Sequence, residues 1–167
     1  MIQKAEEKDI RQIAEVHVAS WKTTYRGIVS DEFLDLLDTE QKVGQWTRNL
    51  AQPDPILLVA VEGERVVGFV SAGKSRNEDL PFDAEVYAIY ILEEYQRKGI
   101  ERELIVHAVE EFKVRKWDSM LIWVLEKNDS KHFYEKMGGK EAGRAQLEIE
   151  GQLHEEIAYG WYDLQGL

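Results

Sequence analysis

The segment that most limits the fold runs from Ala84 to Leu125 and alternates strand, helix and strand. The run "AEVYAIYIL" is dense in β-branched and aromatic residues and predicts a strand, whereas apolar residues from Leu104 to Phe112 recur at helical spacing. The segment "SMLIWVL" then returns to a strand pattern. Strand, helix and strand over this distance form a crossover that joins two parallel strands. The chain must therefore contain a sheet with a parallel pair and a helix packed on it.

Two hairpins and several helices complete the predicted order of elements. The segment "ILLVAVEGERVVGFVSAG" reads as two strands joined near Glu62-Gly63, and the tail "AQLEIEGQLHEEIAYGWY" as two strands joined at Glu150-Gly151. Apolar residues at three- and four-residue steps predict a helix over residues 7 to 22, and Ser30 and Thr39 can cap two shorter helices. The predicted fold class is α/β (α+β), a mixed sheet with helices packed on it.

Composition and charge narrow the classes of partner. A chain of 167 residues with 44% hydrophobic residues predicts a single domain over residues 1–167. Its formal net charge of -11 argues against a nucleic-acid partner and suits small cations, polyamines or basic peptides. No run approaches the roughly 18 apolar residues of a membrane span. With no apolar signal core and no cysteine, the sequence predicts a cytoplasmic protein without a membrane partner.

The histidines stand at no spacing typical of metal ligation, and the chain has no cysteine to assist them, so no metal site is expected. They are His17, His107, His132 and His154. His17 falls on the apolar face of the first predicted helix and is expected to pack there.

The stretch "QRKGIERELI" lies where the first crossover strand meets its helix. The first turn of a helix carries backbone N–H groups without helical partners, and the macrodipole adds partial positive charge there. Gly99 allows a ligand to approach the backbone closely, and Gln96, Arg97 and Lys98 supply further donors and charge. The glycine spacing fits neither a P-loop nor a dinucleotide fingerprint. The junction suits a pyrophosphate, but alone it suits an ordinary surface helix equally well.

A second segment, at a fixed distance downstream, strengthens this evidence. Gln96 and Gly99 match the pattern Gln/Arg-x-x-Gly-x-Gly/Ala, and "VLEKNDSKHFYEKMGG" contains an Asn-x-x-(x)-x-x-Phe-Tyr pattern. In this order and spacing, the two segments resemble the GNAT superfamily of acyl-CoA-dependent N-acetyltransferases. The similarity extends to "VHVASWKTTYRGIVSDEFLDLL" and the terminal "YGW", and so covers nearly the whole chain. It implies a GNAT-like, mostly antiparallel sheet of about seven strands with a cofactor-binding crossover, and acetyl-CoA as the acyl donor.

The resemblance also implies roles for individual residues. Asn128 matches the residue that contacts the pantetheine arm, and Tyr134 matches the tyrosine proposed to protonate the departing CoA thiolate. A tyrosine has an ordinary pKa of about 10 and is a suitable donor to a thiolate of similar basicity. Alternatively, Tyr134 packs its helix on the sheet with its hydroxyl in solvent. The predicted coenzyme site comprises Ile91, Leu92, Gln96, Arg97, Lys98, Gly99, Ile100, Arg102, Asn128 and Phe133.

Two further predictions concern the reacting groups. A strand amide around Tyr90, Ile91 or Leu92 would polarise the thioester carbonyl. Glu85 stands where the resemblance places a base or a water-ordering carboxylate, and a relay through water suits its ordinary pKa of about 4.3 better than direct proton abstraction. The competing interpretation makes Glu85 a solvated edge residue.

Aromatic residues of the N-terminal helices could wall the acceptor pocket. Trp21 and Tyr25 would suit a cationic amine through cation–π contacts, and packing in the core is an equal alternative for both. For Trp46, the helical phase with Val43 and Leu50 favours packing in the core.

Glu101 departs from the family pattern, because it occupies the position of a small Gly or Ala. A carboxylate in the first turn of a helix is favourable in the empty protein but is repelled by a bound pyrophosphate. We expect that Glu101 either points away, offset by Arg97, Lys98 and Arg102, or weakens coenzyme affinity. Loss of catalysis on a retained scaffold is a third outcome.

The predicted function is transfer of an acetyl group from acetyl-CoA to a primary amine, with small amines or polyamines favoured. Because the chain has no cysteine to carry a covalent acyl intermediate, direct attack in a ternary complex is expected. The alternative is a catalytically weak or inactive module of the same fold that binds CoA or a small cationic metabolite. The C-terminal hairpin could pair with a second copy and form a homodimer.

Overall fold

The computed structural model describes residues 1–167, and a seven-stranded sheet forms its centre. The strands are β1 (Ile2–Lys4), β2 (Ile56–Glu62), β3 (Arg65–Lys74), β4 (Ala84–Ile91), β5 (Met120–Leu125), β6 (Lys140–Ile149) and β7 (Gln152–Trp161). They lie in the order β1-β2-β3-β4-β5-β7-β6. Every neighbouring pair is antiparallel except β4 and β5, which are parallel. This confirms the predicted mostly antiparallel sheet and its crossover.

Five helices flank the sheet: α1 (Ile10–Thr24), α2 (Asp31–Asp35), α3 (Thr39–Leu50), α4 (Ile100–Val114) and α5 (Ser130–Lys136). The crossover helix α4 packs on β2, β3 and β4, while α1 packs on α3 and contacts β3 and β4. One large cluster of buried apolar residues joins α1, α3 and α4 to the strands. The first helix begins at Ile10 rather than at residue 7, because Glu7–Asp9 forms a separate 3₁₀ turn.

His17 and Trp46 are buried together between α1 and α3. The indole Nε1 of Trp46 donates to His17 Nδ1 at 3.0 Å, and the His17 ring stacks on Tyr90 with centroids 5.1 Å apart. Burial, assisted by the charge of Lys42, lowers the pKa of His17 to about 3. The prediction that Trp46 and His17 pack in the core is confirmed.

Both predicted hairpins are present. The turn between β6 and β7 consists of Glu150 and Gly151, with φ of 51° and 75°. Positive φ at both central residues is typical of the type I′ turn that matches the twist of hairpin strands.

The parallel ladder between β4 and β5 is short. It pairs Ala84–Val86 with Met120–Ile122, although β4 continues to Ile91 and β5 to Leu125. A bulge in the β3–β4 ladder leaves Tyr87 without a partner at the point where the two parallel strands separate. The resulting gap opens toward the first turn of α4 and forms the candidate site.

Candidate active site

The first turn of α4 presents free backbone donors to the gap. Gly99 caps the helix with φ of 88°, a left-handed conformation that glycine adopts without strain. The first helical hydrogen bond is that of the Glu103 N–H to Gly99 O, so the N–H groups of Ile100, Glu101 and Arg102 have no partner in the chain. A Cβ built on Gly99 would meet no atom within 4 Å. The surface above this turn is therefore open to an anionic ligand.

The three side chains before Gly99 make different contacts. The Gln96 side chain donates to Ile91 O at 3.1 Å and ties the loop to β4. Arg97 has φ of 62° and lines the cleft, as does Arg102 one turn later. The Lys98 Nζ lies over the Tyr95 ring, 5.3 Å from the centroid, and does not line the cleft, so its contact with the coenzyme stays a prediction.

The strand amides of β4 alternate between β3 and the gap. The Leu92 N–H donates to Val67 O at 2.9 Å, so this amide is not free to polarise a carbonyl, and contact of Leu92 with the coenzyme stays a prediction. Since successive residues of a strand point their hydrogen-bonding groups to opposite sides, Ile91 directs its groups to the gap. Its carbonyl there accepts from Ser20 Oγ at 3.3 Å and from Gln96. Ile100 is buried in the core and offers only its backbone N–H.

The opposite wall comes from the β5–α5 loop and from α5. Asn128 is buried, and its Oδ1 accepts from the Ser130 N–H at 2.9 Å, which fixes the side chain at the start of α5. Phe133 and Tyr134 follow on α5 and also line the cleft. Together with the first turn of α4 and the exposed edge of β4, they enclose a cleft of about 580 Å³.

Glu101 does not point away from this cleft. It lines the cleft beside Tyr134, whose hydroxyl donates to Glu101 Oε1 at 3.2 Å. Burial raises the pKa of the Glu101 carboxyl to about 7, against the opposing effect of this hydrogen bond. Burial, and then the charge of Glu101, raise the pKa of Tyr134 well above its ordinary value. The Tyr134 hydroxyl is buried and partnered, so the alternative of a solvent-facing hydroxyl is wrong.

A second cavity of about 690 Å³ adjoins the cleft. The two share a wall made by Tyr25, Val86, Tyr87, Tyr90, Trp123 and Val124. Trp21 lies against Tyr25, with ring centroids 4.4 Å apart, and both rings line the second cavity. The predicted acceptor-pocket aromatics are thus placed next to the cleft, and their role in substrate binding stays a prediction.

Glu85 lines the second cavity but is not a free carboxylate. It is 4% exposed, and it accepts from the Arg76 backbone N–H at 3.0 Å and from the Arg76 guanidinium at 2.9 Å. The alternative of a solvated edge residue is therefore wrong. The guanidinium also stacks on Tyr87, 4.0 Å from its centroid.

Glu156 was missed in the sequence. It lies on β7 in the same cavity, and burial together with the nearby Glu85 raises its pKa, whereas its neighbour Glu155 pairs with Arg144. The alternating pattern of the last strand shows which residues share a face with Glu156. It does not show which of the two faces lies toward the gap, so the sequence alone could not identify this residue.

No group of three or more histidine and carboxylate side chains is placed to hold a metal ion. None of the helices is long and apolar enough to cross a membrane.

Comparison with known proteins identifies the family. Residues 5–139 match the family model described as acetyltransferase (GNAT) family. The chain is 36% identical over 167 residues to the uncharacterized N-acetyltransferase YuaI of Bacillus subtilis strain 168, covering 99% of this chain and 95% of that protein. It is 28% identical over 112 residues to the spermidine N(1)-acetyltransferase of Thermoplasma acidophilum, covering 64% and 66% of the two chains.

Solved structures of N-acetyltransferases share the fold. The PaiA N-acetyltransferase of Thermoplasma acidophilum in complex with coenzyme A superposes with a TM-score of 0.68 at 22% identity, over 94% of this chain and 96% of that one. The structure of YncA from Salmonella typhimurium with acetyl-CoA superposes with a TM-score of 0.74 at 17% identity, over 99% of this chain and 94% of that one. The chain therefore belongs to the GNAT family of N-acetyltransferases and is an acyltransferase.

Proposed function

We propose that this chain transfers an acetyl group from acetyl-CoA to a primary amine of a small cationic molecule, with diamines and polyamines favoured. The observation that carries the proposal is the separation of charge across one shared wall. The cleft at α4 is lined by four cations and two acidic residues, Arg26, Arg97, Arg102, Lys127, Glu101 and Asp129. The adjoining cavity is lined by four carboxylates and one cation, Glu78, Asp79, Glu85, Glu156 and Arg76. This arrangement suits an anionic donor on one side and a cationic acceptor on the other.

The cleft fits the coenzyme on three counts: its open helix terminus, its cations and its unpaired strand edge. The N–H groups of Ile100 and Arg102, with the Arg97 and Arg102 side chains, would hold the pyrophosphate. The Ile91 N–H on the edge of β4, whose carbonyl already accepts from Ser20 and Gln96, and Asn128 opposite would hold the pantetheine arm. When bound, acetyl-CoA supplies the activated acetyl thioester.

Tyr134 would donate a proton to the leaving sulfur, because its raised pKa keeps the hydroxyl protonated at neutral pH. Glu85 is paired with Arg76, and we assign it the role of anchoring that side chain. Glu156 is then the carboxylate that contacts the acceptor amine. The Trp21 and Tyr25 rings would contact the cationic chain of the acceptor. Attack occurs directly in a ternary complex, since the chain has no cysteine to carry the acyl group.

The test is an acceptor screen followed by release of free CoA with a thiol reagent. The chain has no cysteine, so the reagent reports only the product thiol. Diamines and polyamines should give a higher kcat/KM than monoamines of equal length that have no second positive charge. Glu156→Gln should raise the KM of the dications, whereas the exposed Glu148→Gln on the β6–β7 hairpin should not. Binding of CoA without turnover of any amine would favour the inactive binding module instead.

A further inference from the structure

Glu101 and Tyr134 form a hydrogen-bonded pair across the coenzyme cleft, from the first turn of α4 to α5. Their oxygen atoms lie 3.2 Å apart. The pair is specific to a chain that carries glutamate where the family pattern has glycine or alanine. A small residue at this position cannot contact the tyrosine, so the family pattern itself predicts no such pair.

No cation neutralises Glu101. Arg97 and Arg102 line the same cleft but form no ion pair with its carboxyl. The other charged or titratable groups that line the cleft come from the end of α1, from β4 and from the β5–α5 loop. They are Tyr25, Arg26, Tyr87, Tyr90, Lys127 and Asp129. The burial of an unpaired carboxyl favours its neutral form.

The charge of Glu101 affects both proposed functions of the cleft, which are the binding of the pyrophosphate and the protonation of the leaving thiolate. As a carboxylate it repels a pyrophosphate docked on the same helix turn, and it accepts the hydrogen bond of the Tyr134 hydroxyl. As a neutral acid it removes the repulsion, and its own O–H can donate to the tyrosine oxygen. The phenolic hydrogen is then free to point at the sulfur of a bound thioester.

We propose that Glu101 takes up one proton when the coenzyme binds, and that the neutral Glu101 then positions the Tyr134 hydroxyl for donation to the leaving thiolate. The protons balance over the cycle. A solvent proton forms the Glu101 O–H bond on binding. On thiolate departure the Tyr134 O–H bond breaks and an S–H bond forms, and the Glu101 proton passes to the tyrosine oxygen, which restores the carboxylate. This inference rests on the proposed binding of CoA at the cleft.

The test is calorimetric titration with CoA between about pH 6 and pH 8, in two buffers of different ionisation enthalpy. The Glu101 carboxyl of the free protein has a pKa of about 7 and must be protonated in the complex. The dissociation constant of CoA should therefore rise by up to about tenfold from pH 6 to pH 8, and binding at pH 7 should take up about half a proton. The 3′-phosphate of CoA has a pKa of about 6 and also titrates. Glu101→Gln is neutral at every pH, so the difference between the two proteins isolates Glu101.

Two further variants complete the design. Glu103→Gln removes a charge from the same helix turn at an exposed position and should retain the wild-type proton uptake. Tyr134→Phe removes the hydrogen bond that lowers the Glu101 pKa, so the midpoint of the affinity profile should move to higher pH. Equal proton uptake by wild type and Glu101→Gln, with CoA bound by both, overturns this inference alone. Failure of CoA to bind either protein at any pH overturns the proposed function with it.

Discussion

Replacing Glu101 by glutamine should stabilise the folded protein without ligand, and more at alkaline than at acidic pH. Glutamine keeps the size of the side chain and can still hydrogen-bond to Tyr134, but it carries no charge. In the wild type the carboxyl is half-buried without a cation, so ionising it costs more in the folded protein than in the unfolded chain. The variant removes that cost.

The magnitude follows from the pKa in the two states. The Glu101 carboxyl titrates at about 7 in the folded protein and near 4.5 in the unfolded chain. Its stabilising contribution is therefore complete below about pH 4.5 and is lost as the pH rises through 7. At about 1.4 kcal/mol for each pKa unit, the wild type loses about 2.5 kcal/mol of unfolding free energy between pH 5 and pH 8 from this group. The glutamine variant loses none of it.

Urea unfolding of both proteins at pH 5 and pH 8 measures the effect. The advantage of Glu101→Gln should grow by about 2.5 kcal/mol, which corresponds to a rise of about 5 to 10 °C in the Tm difference for a chain of this length. Glu103→Gln is the matched control, because its side chain is exposed in the same helix turn. A Glu101→Gln advantage of the same size at both pH values would refute the reasoning.

Three other perturbations address separate parts of the structure. Tyr134→Phe should lower kcat about 10²-fold while the CoA dissociation constant at pH 6 stays nearly unchanged, and full turnover would exclude Tyr134 as the proton donor. His17 should stay neutral in NMR titrations down to pH 4, since its pKa is lowered to about 3; protonation near pH 6 would show that the ring is not enclosed. Gly160→Ala should cost about 1 to 3 kcal/mol in urea unfolding, because its Cβ would overlap the Phe82 ring, and a neutral effect would contradict that packing.

The order of elements could be predicted because each has its own periodicity. The change from a β-rich run to helical spacing and back located β4, α4 and β5, and the turn residues Glu150 and Gly151 located the last hairpin. These are local signals, and local backbone preference is enough to produce them. The same signals also placed Gly99 at the helix cap, where positive φ needs a glycine.

The details of the site that the sequence did not reveal depend on contacts between separate segments. Whether Ile91 or Leu92 turns its amide to the gap depends on the register of β4 against β3, which no single segment encodes. Arg76 lies nine positions before Glu85 and pairs with it, and no spacing in the sequence indicates that this carboxylate has a guanidinium partner. Glu101 and Tyr134 are separated by 33 positions and meet only because α4 and α5 approach the same gap.

The short ladder between β4 and β5 has a mechanical consequence. Within the sheet, three residue pairs join its two halves, Ala84–Val86 with Met120–Ile122, whereas the ladder between β3 and β4 runs the whole length of β4. Beyond Val86, the separation between β4 and β5 is not held by hydrogen bonds between these two strands. Substitutions near Tyr87 should therefore change the width of the gap while the antiparallel ladders on either side keep their hydrogen bonds.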